Sequence, residues 1–155
     1  MSAKRQTPGP DGQPLQDGAV VFRLCISSDG KVAPEAFALS TTEKKSARPR
    51  LSVWEDSLTS VSQAHDIIGR NPKYTIASFL AVSAVRSLRP HPDDTGVRNL
   101  DVEWEQATAT VNGAIQPNPA PGAEGHAGLV GLKQAQGLKR FEKSLRRRLA
   151  ELANE

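Results

Sequence analysis

Apolar and more polar residues alternate in three short segments of the chain, which is the period of a half-buried β-strand. The segments are AVVFRLCIS (19–27), LSVWE (51–55) and LDVEWEQATATV (100–111). A fourth segment, YTIASFLAVSAVRSL (74–88), is apolar on both faces and contains several β-branched residues, so it predicts a central strand buried from both sides. Because this segment is long for one strand, we expect a bend or a helical turn near Ser78.

Two other segments repeat their apolar residues with the 3.6-residue period of an amphipathic helix. The first covers about residues 58–69, where Ser57 or Thr59 can cap the N-terminus and Gly69 can end the helix before a proline. The second covers about residues 137–152 and aligns a phenylalanine and several leucines along one side. Both helices are expected to bury their apolar stripes.

Strands and helices of this kind in a chain of 155 residues predict a single α+β domain. We expect a mostly antiparallel sheet of about four or five strands, covered by the internal helix and the C-terminal helix. Residues 1–18 are rich in Pro, Gly and Gln and almost free of apolar residues, which predicts a disordered N-terminal arm. The domain then comprises residues 19–155.

Composition limits the compartment and the class of protein. Cys25 is the only cysteine, so the chain forms no internal disulfide, and no signal-peptide pattern opens the sequence. We therefore expect a reducing, cytoplasmic location. No apolar run approaches the length of a membrane span, so no membrane partner is expected.

The familiar motifs of catalytic and cofactor sites are missing from the sequence. There is no P-loop, no glycine fingerprint of a dinucleotide-binding fold, no HExxH and no G-x-S-x-G. The three histidines and one cysteine have no metal-ligand spacing. We expect no cofactor and no metal site.

His126 is the histidine in the most suggestive position, since it follows a proline-rich loop and precedes an apolar, small-residue segment. A histidine at such a junction can serve as a general base, with Glu124 as a nearby carboxylate. Gly125 and Gly128 would let a ligand or a backbone approach closely. The alternative is that the glycines serve the turn and His126 packs against a neighbouring strand.

Arg23 and Arg50 are the candidate anion-binding residues, because they occur within or beside predicted strands. An arginine in an apolar strand either pairs with a carboxylate or reaches an anionic ligand. The acidic face of the third strand can pair with His126, bind a cation or simply face water. That face consists of Asp101, Glu103 and Glu105.

The basic character of the chain lies in its C-terminal part, where residues 133–155 hold seven Lys or Arg and three Glu. Arg146, Arg147 and Arg148 could bind phosphates of a nucleic acid or an acidic partner. The alternative, which we favour, is a helix that docks its leucine stripe on the sheet and exposes its charges to water.

Three functions remain open on this sequence. The first is a small cytoplasmic interaction or regulatory protein, of the antitoxin or immunity type, with a protein partner. The second is a hydrolase or transferase acting on an anionic, nucleotide-like substrate around His126. The third is nucleic-acid binding through the C-terminal helix. The first is favoured, because the sequence is small and carries no catalytic signature.

Overall fold

A computed structural model of the chain describes residues 9–39, 45, 49–88, 100–105, 110–111, 114–115, 123–134 and 140–154. Its strands are β1 Val20–Cys25, β2 Ser27–Ser28, β3 Lys31–Val32, β4 Leu51–Glu55, β5 Ile76–Ala81, β6 Asp101–Trp104, β7 Thr110–Val111, β8 Ala114–Ile115 and β9 His126–Val130. Its helices are α1 Val61–Ile67, α2 Val82–Ser87 and α3 Arg140–Ala153, with 3-10 turns at Pro34–Phe37 and Ala123–Gly125.

Five of the strands form one antiparallel sheet in the order β5-β1-β4-β9-β6. The prediction of one small α+β domain with a mostly antiparallel sheet is therefore confirmed, as is a C-terminal helix. The hairpin β2–β3 turns at Asp29 and Gly30, which both have positive φ (52° and 76°). Two successive residues with positive φ form a tight turn, for which an Asp-Gly pair is well suited.

The two faces of the sheet are covered unequally. One face, here called the major face, carries the larger core and packs beneath α2, α3 and the 3-10 turn Pro34–Phe37. The opposite face, here called the minor face, has a small second core of Phe22, Leu24, Trp54 and Ala64 beneath the short helix α1. Much of the minor face is consequently left for polar groups or for solvent.

Helix α1 is shorter than predicted, because residues 55–59 form a turn before it. The amides of Leu58 and Thr59 both donate to the Glu55 carbonyl. The cap is Ser60, whose hydroxyl accepts from the Gln63 amide at 3.0 Å while the Gln63 side chain accepts from the Ser60 amide at 2.9 Å. This reciprocal capping box starts the helix, so the predicted caps were wrong. Gly69 ends it with φ +85°, as predicted.

Among the residues that the structure describes, the segment 74–88 forms an edge strand followed by a helix, so the prediction of a central strand was wrong. β5 lies at one end of the sheet, and Phe79 on its minor face is 47% exposed. The chain turns into α2 at Val82, four residues after the predicted bend. Apolar residues occur on both sides of the segment because α2 packs them against the core, not because the strand is central.

Residues 12–15 pair with the outer side of β6, at the opposite end of the sheet. The amides of Gly12 and Leu15 donate to the carbonyls of Trp104 and Val102, and the Trp104 amide donates to the Gln13 carbonyl. Leu15 is 2% exposed. The prediction of a disordered arm therefore does not hold for residues 9–18, because backbone pairing and one leucine fix them; residues 1–8 lie outside the described part.

Arg86 of α2 secures the same N-terminal segment. Its Nε lies 2.6 Å from the Asp101 carboxylate, its Nη1 lies 2.5 Å from the Asp17 carboxylate, and its Nη2 donates to the Leu15 carbonyl. One guanidinium thus joins α2, β6 and the segment before β1.

Helix α3 docks on the major face by its apolar stripe, in which Leu145 and Leu149 are fully buried. Just after the helix, the Asn154 side chain pairs with the backbone of Val32, accepting from its amide at 3.0 Å and donating to its carbonyl at 2.9 Å. The leucine stripe is therefore used within the chain. Among the described residues, no helix has both the length and the apolar character needed to cross a membrane.

We predict that Leu149→Ala lowers the free energy of unfolding by about 2–5 kcal/mol, because it leaves a cavity under α3. The matched change Arg147→Ala, on the exposed side of the same helix, should leave it nearly unchanged. Urea unfolding followed by circular dichroism measures both. Equal stabilities of the two variants would contradict the docked helix.

Candidate functional site

Polar side chains of three neighbouring strands meet on the minor face. We call this set the polar cluster: Arg50, Ser52, Glu103, Glu105 and His126, with Asp11 at its rim. The register explains the meeting, because Ser52 of β4 and Glu103 of β6 both lie opposite Gly128 of β9. The cluster is built where β4, β9 and β6 run side by side.

The two glycines around His126 are needed for close packing. A Cβ atom on Gly128 would come within 2.7 Å of the Arg50 Cβ, so only glycine lets the Arg50 side chain cross β9. A Cβ atom on Gly125 would lie 2.0 Å from the Thr59 Oγ1. The close approach expected at these glycines is made by the protein's own side chains.

Arg50 is surrounded by carboxylates. Its Nη1 lies 3.2 Å from the Asp11 Oδ1 and 3.4 Å from the Glu103 Oε1, and its Nη2 lies 3.6 Å from the Glu105 Oε1. The Glu103 side chain is only 5% exposed, so this row of the strand does not simply face water. With three carboxylates around one guanidinium, the cluster has an excess of negative charge, which disfavours an anionic ligand.

His126 lies at the inner end of the cluster, against the ring of Trp54 at 4.7 Å between centroids. Its Nε2 is 3.2 Å from the Ser52 Oγ and 3.7 Å from the Glu105 Oε2. Burial lowers the pKa of His126, the nearby Arg50 lowers it further, and a hydrogen bond with the Glu105 backbone opposes both effects. A neutral imidazole can accept the proton of the Ser52 hydroxyl, whereas an imidazolium cannot.

The other predicted site residues lie apart from this pair. Glu124 is exposed on the 3-10 turn before β9, and the carboxylate that reaches His126 is that of Glu105. Arg23 is on the major face, where it donates to the carbonyls of Ala36 at 2.8 Å and Ser52 at 2.7 Å. It therefore supports the 3-10 turn Pro34–Phe37.

The three consecutive arginines of α3 are away from the docked stripe. Arg147 is exposed, Arg146 and Arg148 are half-buried, and the Arg148 Nη1 lies 3.3 Å from the Glu151 carboxylate. This is the geometry of a charged outer helix face, and nucleic-acid binding through these residues stays a prediction.

A second candidate surface is the open side of β5. In the part of the chain that the structure describes, β5 pairs with β1 alone. The Val82 amide donates to the Ala19 carbonyl in the same register as the β5–β1 ladder, so the even-numbered residues of β5 bond to β1. Ala77 and Phe79 therefore direct both backbone groups away from the sheet, and Ala81 directs its amide there, since its carbonyl caps α2. We call these three residues the β5 edge.

The β5 edge carries no charge. Between Lys73 and Arg86 the sequence has no Lys, Arg, Asp or Glu, although exposed edges are commonly protected by such residues. Phe79 is 47% exposed beside Phe22, and Ile26, just after the end of β1, is 52% exposed. The opposite end of the sheet is covered by residues 12–15, so the two edges differ.

A cleft of about 320 Å³ adjoins the start of β5. Its walls include the apolar residues Leu24, Ile26 and Tyr74, with Glu35 of the 3-10 turn among its polar residues. Cys25 also lines the cleft, and burial raises the pKa of its thiol. A protonated thiol that accepts from the Ser78 hydroxyl at 3.3 Å is a packing group, not a nucleophile.

Sequence reasoning missed Ser52 and the β5 edge. Ser52 becomes a partner of His126 only through the β4–β9 register, for which the sequence has no direct signal. For the β5 edge a signal existed, namely the absence of charges over twelve residues combined with a following helix, but it was interpreted as burial.

Within the described residues, no group of three or more His, Cys, Asp or Glu is arranged to hold a metal ion. No family model matches the chain, and no curated protein and no solved structure is found to be similar to it.

We predict that the imidazole of His126 titrates below the value of 6.5 that is usual for histidine. As the pH falls, the unfolded chain then binds a proton at His126 before the folded chain does. The contribution of the neutral His126 to the free energy of unfolding is therefore complete above pH 6.5 and is lost as the pH falls through the folded-state pKa. NMR titration, with His126→Gln to assign the resonance, measures the midpoint directly. A midpoint at or above 6.5 would contradict the neutral, buried imidazole.

Proposed function

We propose that the protein is a small interaction module that binds an extended segment of a partner protein along the β5 edge. The observation that carries this proposal is the contrast between the two ends of the sheet. Residues 12–15 occupy the outer side of β6 by backbone pairing, whereas the described residues leave the outer side of β5 open and uncharged. Strand addition uses such an edge for main-chain hydrogen bonds and side-chain pockets for specificity.

The neighbouring surface indicates the chemistry of the segment. Phe79 offers an apolar contact on the minor face, and the cleft beside Ile26 and Tyr74 can take one apolar side chain at the end of the strand. Two charged residues, Arg23 and Glu35, line the same cleft. The Arg23 guanidinium donates to backbone carbonyls, whereas Glu35 is exposed, which favours a basic residue next to that anchor. These features fit a cytoplasmic regulatory protein whose partner supplies an apolar strand with a basic residue at one end.

We predict that Ala77→Pro weakens binding of such a segment by at least about tenfold, because proline removes an amide on the open side and not one bonded to β1. The probe is an extended peptide selected from a random display library on the purified full chain. Fluorescence anisotropy of the labelled peptide gives the Kd for each variant.

Ala77→Val is the matched control, since it keeps the amide and favours a strand. Circular dichroism and the unfolding midpoint verify that both variants fold. Peptides that bind Ala77→Pro as well as the parent, or a library that yields no binder, would sink the proposal.

A second candidate function rests on the 3.2 Å contact between the His126 Nε2 and the Ser52 Oγ. In this function Ser52 is a nucleophile and His126 is its general base. The Ser52 oxygen bonds to an acyl carbon while its proton passes to the His126 Nε2, and the bond between that carbon and the ester oxygen breaks. A phenolate leaves as the anion, whereas an alkoxide takes the proton from His126 and leaves as the alcohol. Glu105 then stabilises the imidazolium. The excess of negative charge favours a neutral ester over the anionic, nucleotide-like substrate expected from the sequence.

We predict that p-nitrophenyl acetate acetylates Ser52, which mass spectrometry of the digested protein detects as an acetyl adduct on its peptide. His126→Gln should slow acetylation at that position by about 10²-fold, because the general base is lost. Ser62→Ala, at an exposed serine of α1, is the control. Equal labelling of Ser52 with and without His126 would exclude this function.

A further inference from the structure

The β5 edge is complementary to itself. Three consecutive outward-facing residues, Ala77, Phe79 and Ala81, form a short strand face whose centre is Phe79. In an antiparallel pair, a residue on the two-fold axis lies opposite its own copy, and residues two positions away on each side lie opposite each other. An axis at Phe79 therefore places Ala77 opposite Ala81 of the other copy without leaving an outward residue unpaired.

We infer that the first partner of the β5 edge is a second copy of this chain, joined by antiparallel β5–β5 pairing about a two-fold axis at Phe79. The inference rests on the proposed function, because it requires that the β5 edge accept an added strand. Ala77 and Phe79 can each donate and accept a backbone hydrogen bond, whereas Ala81 can only donate, because its carbonyl caps α2. The Phe79–Phe79 pair therefore gives two bonds and the two Ala77–Ala81 pairs give one each, four across the interface. The two five-stranded sheets become one continuous sheet.

The absence of charged side chains on the β5 edge favours a second copy of the chain over a charged partner. Two identical edges repel each other if either carries a net charge, since the same charge then faces itself. No Lys, Arg, His, Asp or Glu occurs between Lys73 and Arg86, so no side-chain charge on this strand opposes self-pairing. In monomeric proteins, edge strands are typically protected from pairing by a lysine, a proline or a bulge. β5 has none of these over Ile76–Ala81.

The side chains of the edge agree with this register. A two-fold axis perpendicular to the sheet keeps the minor faces of both copies on one side, so the two Phe79 rings become neighbours there. The residues beside them are alanines, which leave room for the rings. Phe79, 47% exposed in the single chain, thereby loses contact with water. On the major face, α3 of each copy already contacts its own β5.

The test is the mass of the full chain by sedimentation equilibrium over a range of concentrations. We expect the parent and Ala77→Val to form a dimer, and Ala77→Pro to remain a monomer with an unchanged circular dichroism spectrum. Phe79→Cys should cross-link as a disulfide dimer under mild oxidation, because paired Cα atoms of an antiparallel ladder lie about 5.5 Å apart. Ile68→Cys, at a similarly exposed apolar residue outside β5 (42% against 47% for Phe79), should not.

The outcomes separate the inference from the proposed function. In one outcome, the parent chain stays monomeric at every concentration and still binds selected peptides in a way that Ala77→Pro abolishes. That result overturns the inferred dimer but supports strand addition at the β5 edge. A dimer that Ala77→Pro does not dissociate also overturns the inference. Peptides that convert the parent dimer to a peptide-bound monomer support both, since the two occupants then compete for one edge.

Discussion

The alternation of backbone hydrogen bonds across the sheet is the constraint on which the rest of the structure depends. Each strand directs every second residue to one neighbour and the others to the opposite neighbour. β1 follows this rule with β4 on one side and β5 on the other, as shown by the Asp56–Val20 and Val82–Ala19 hydrogen bonds. The same alternation continues to the Glu105–His126 bond and ends with residues 12–15. It fixes which residues face outward at β5.

The same register determines the polar cluster. The alignment of β4 and β6 on β9 places both Ser52 and Glu103 beside Gly128. Burying charge there is costly unless the charges are paired, and Arg50 supplies that pairing for the nearly buried Glu103. A glycine at position 128 is the condition for this arrangement, since any side chain would displace the Arg50 stem. Structural and catalytic interpretations of His126 therefore share the same scaffold.

The sequence allowed good prediction wherever a local pattern decides the outcome. Alternation in VVFRLC and LSVWE, the Asp29-Gly30 turn and the leucine stripe of α3 all depend on neighbours in sequence, and all agree with the structure. Prediction failed where pairing partners are distant. Residues 12–15 resemble a disordered arm by composition, because backbone pairing with β6 needs no apolar side chains. β5 resembles a buried strand, because apolar character does not distinguish a central strand from an uncharged edge.

The clamp between Asn154 and Val32 has a consequence for how the chain is made. The two residues are 122 positions apart, and the cover that α3 provides for the major face comes from the same late segment. During synthesis, the apolar side of the early strands can be enclosed only after the helix Arg140–Ala153 has been made. Folds that depend on such long-range contacts form slowly. Until α3 has formed, the nascent sheet exposes an apolar surface together with an uncharged strand edge. Chaperones bind such surfaces, and chains that expose them tend to aggregate.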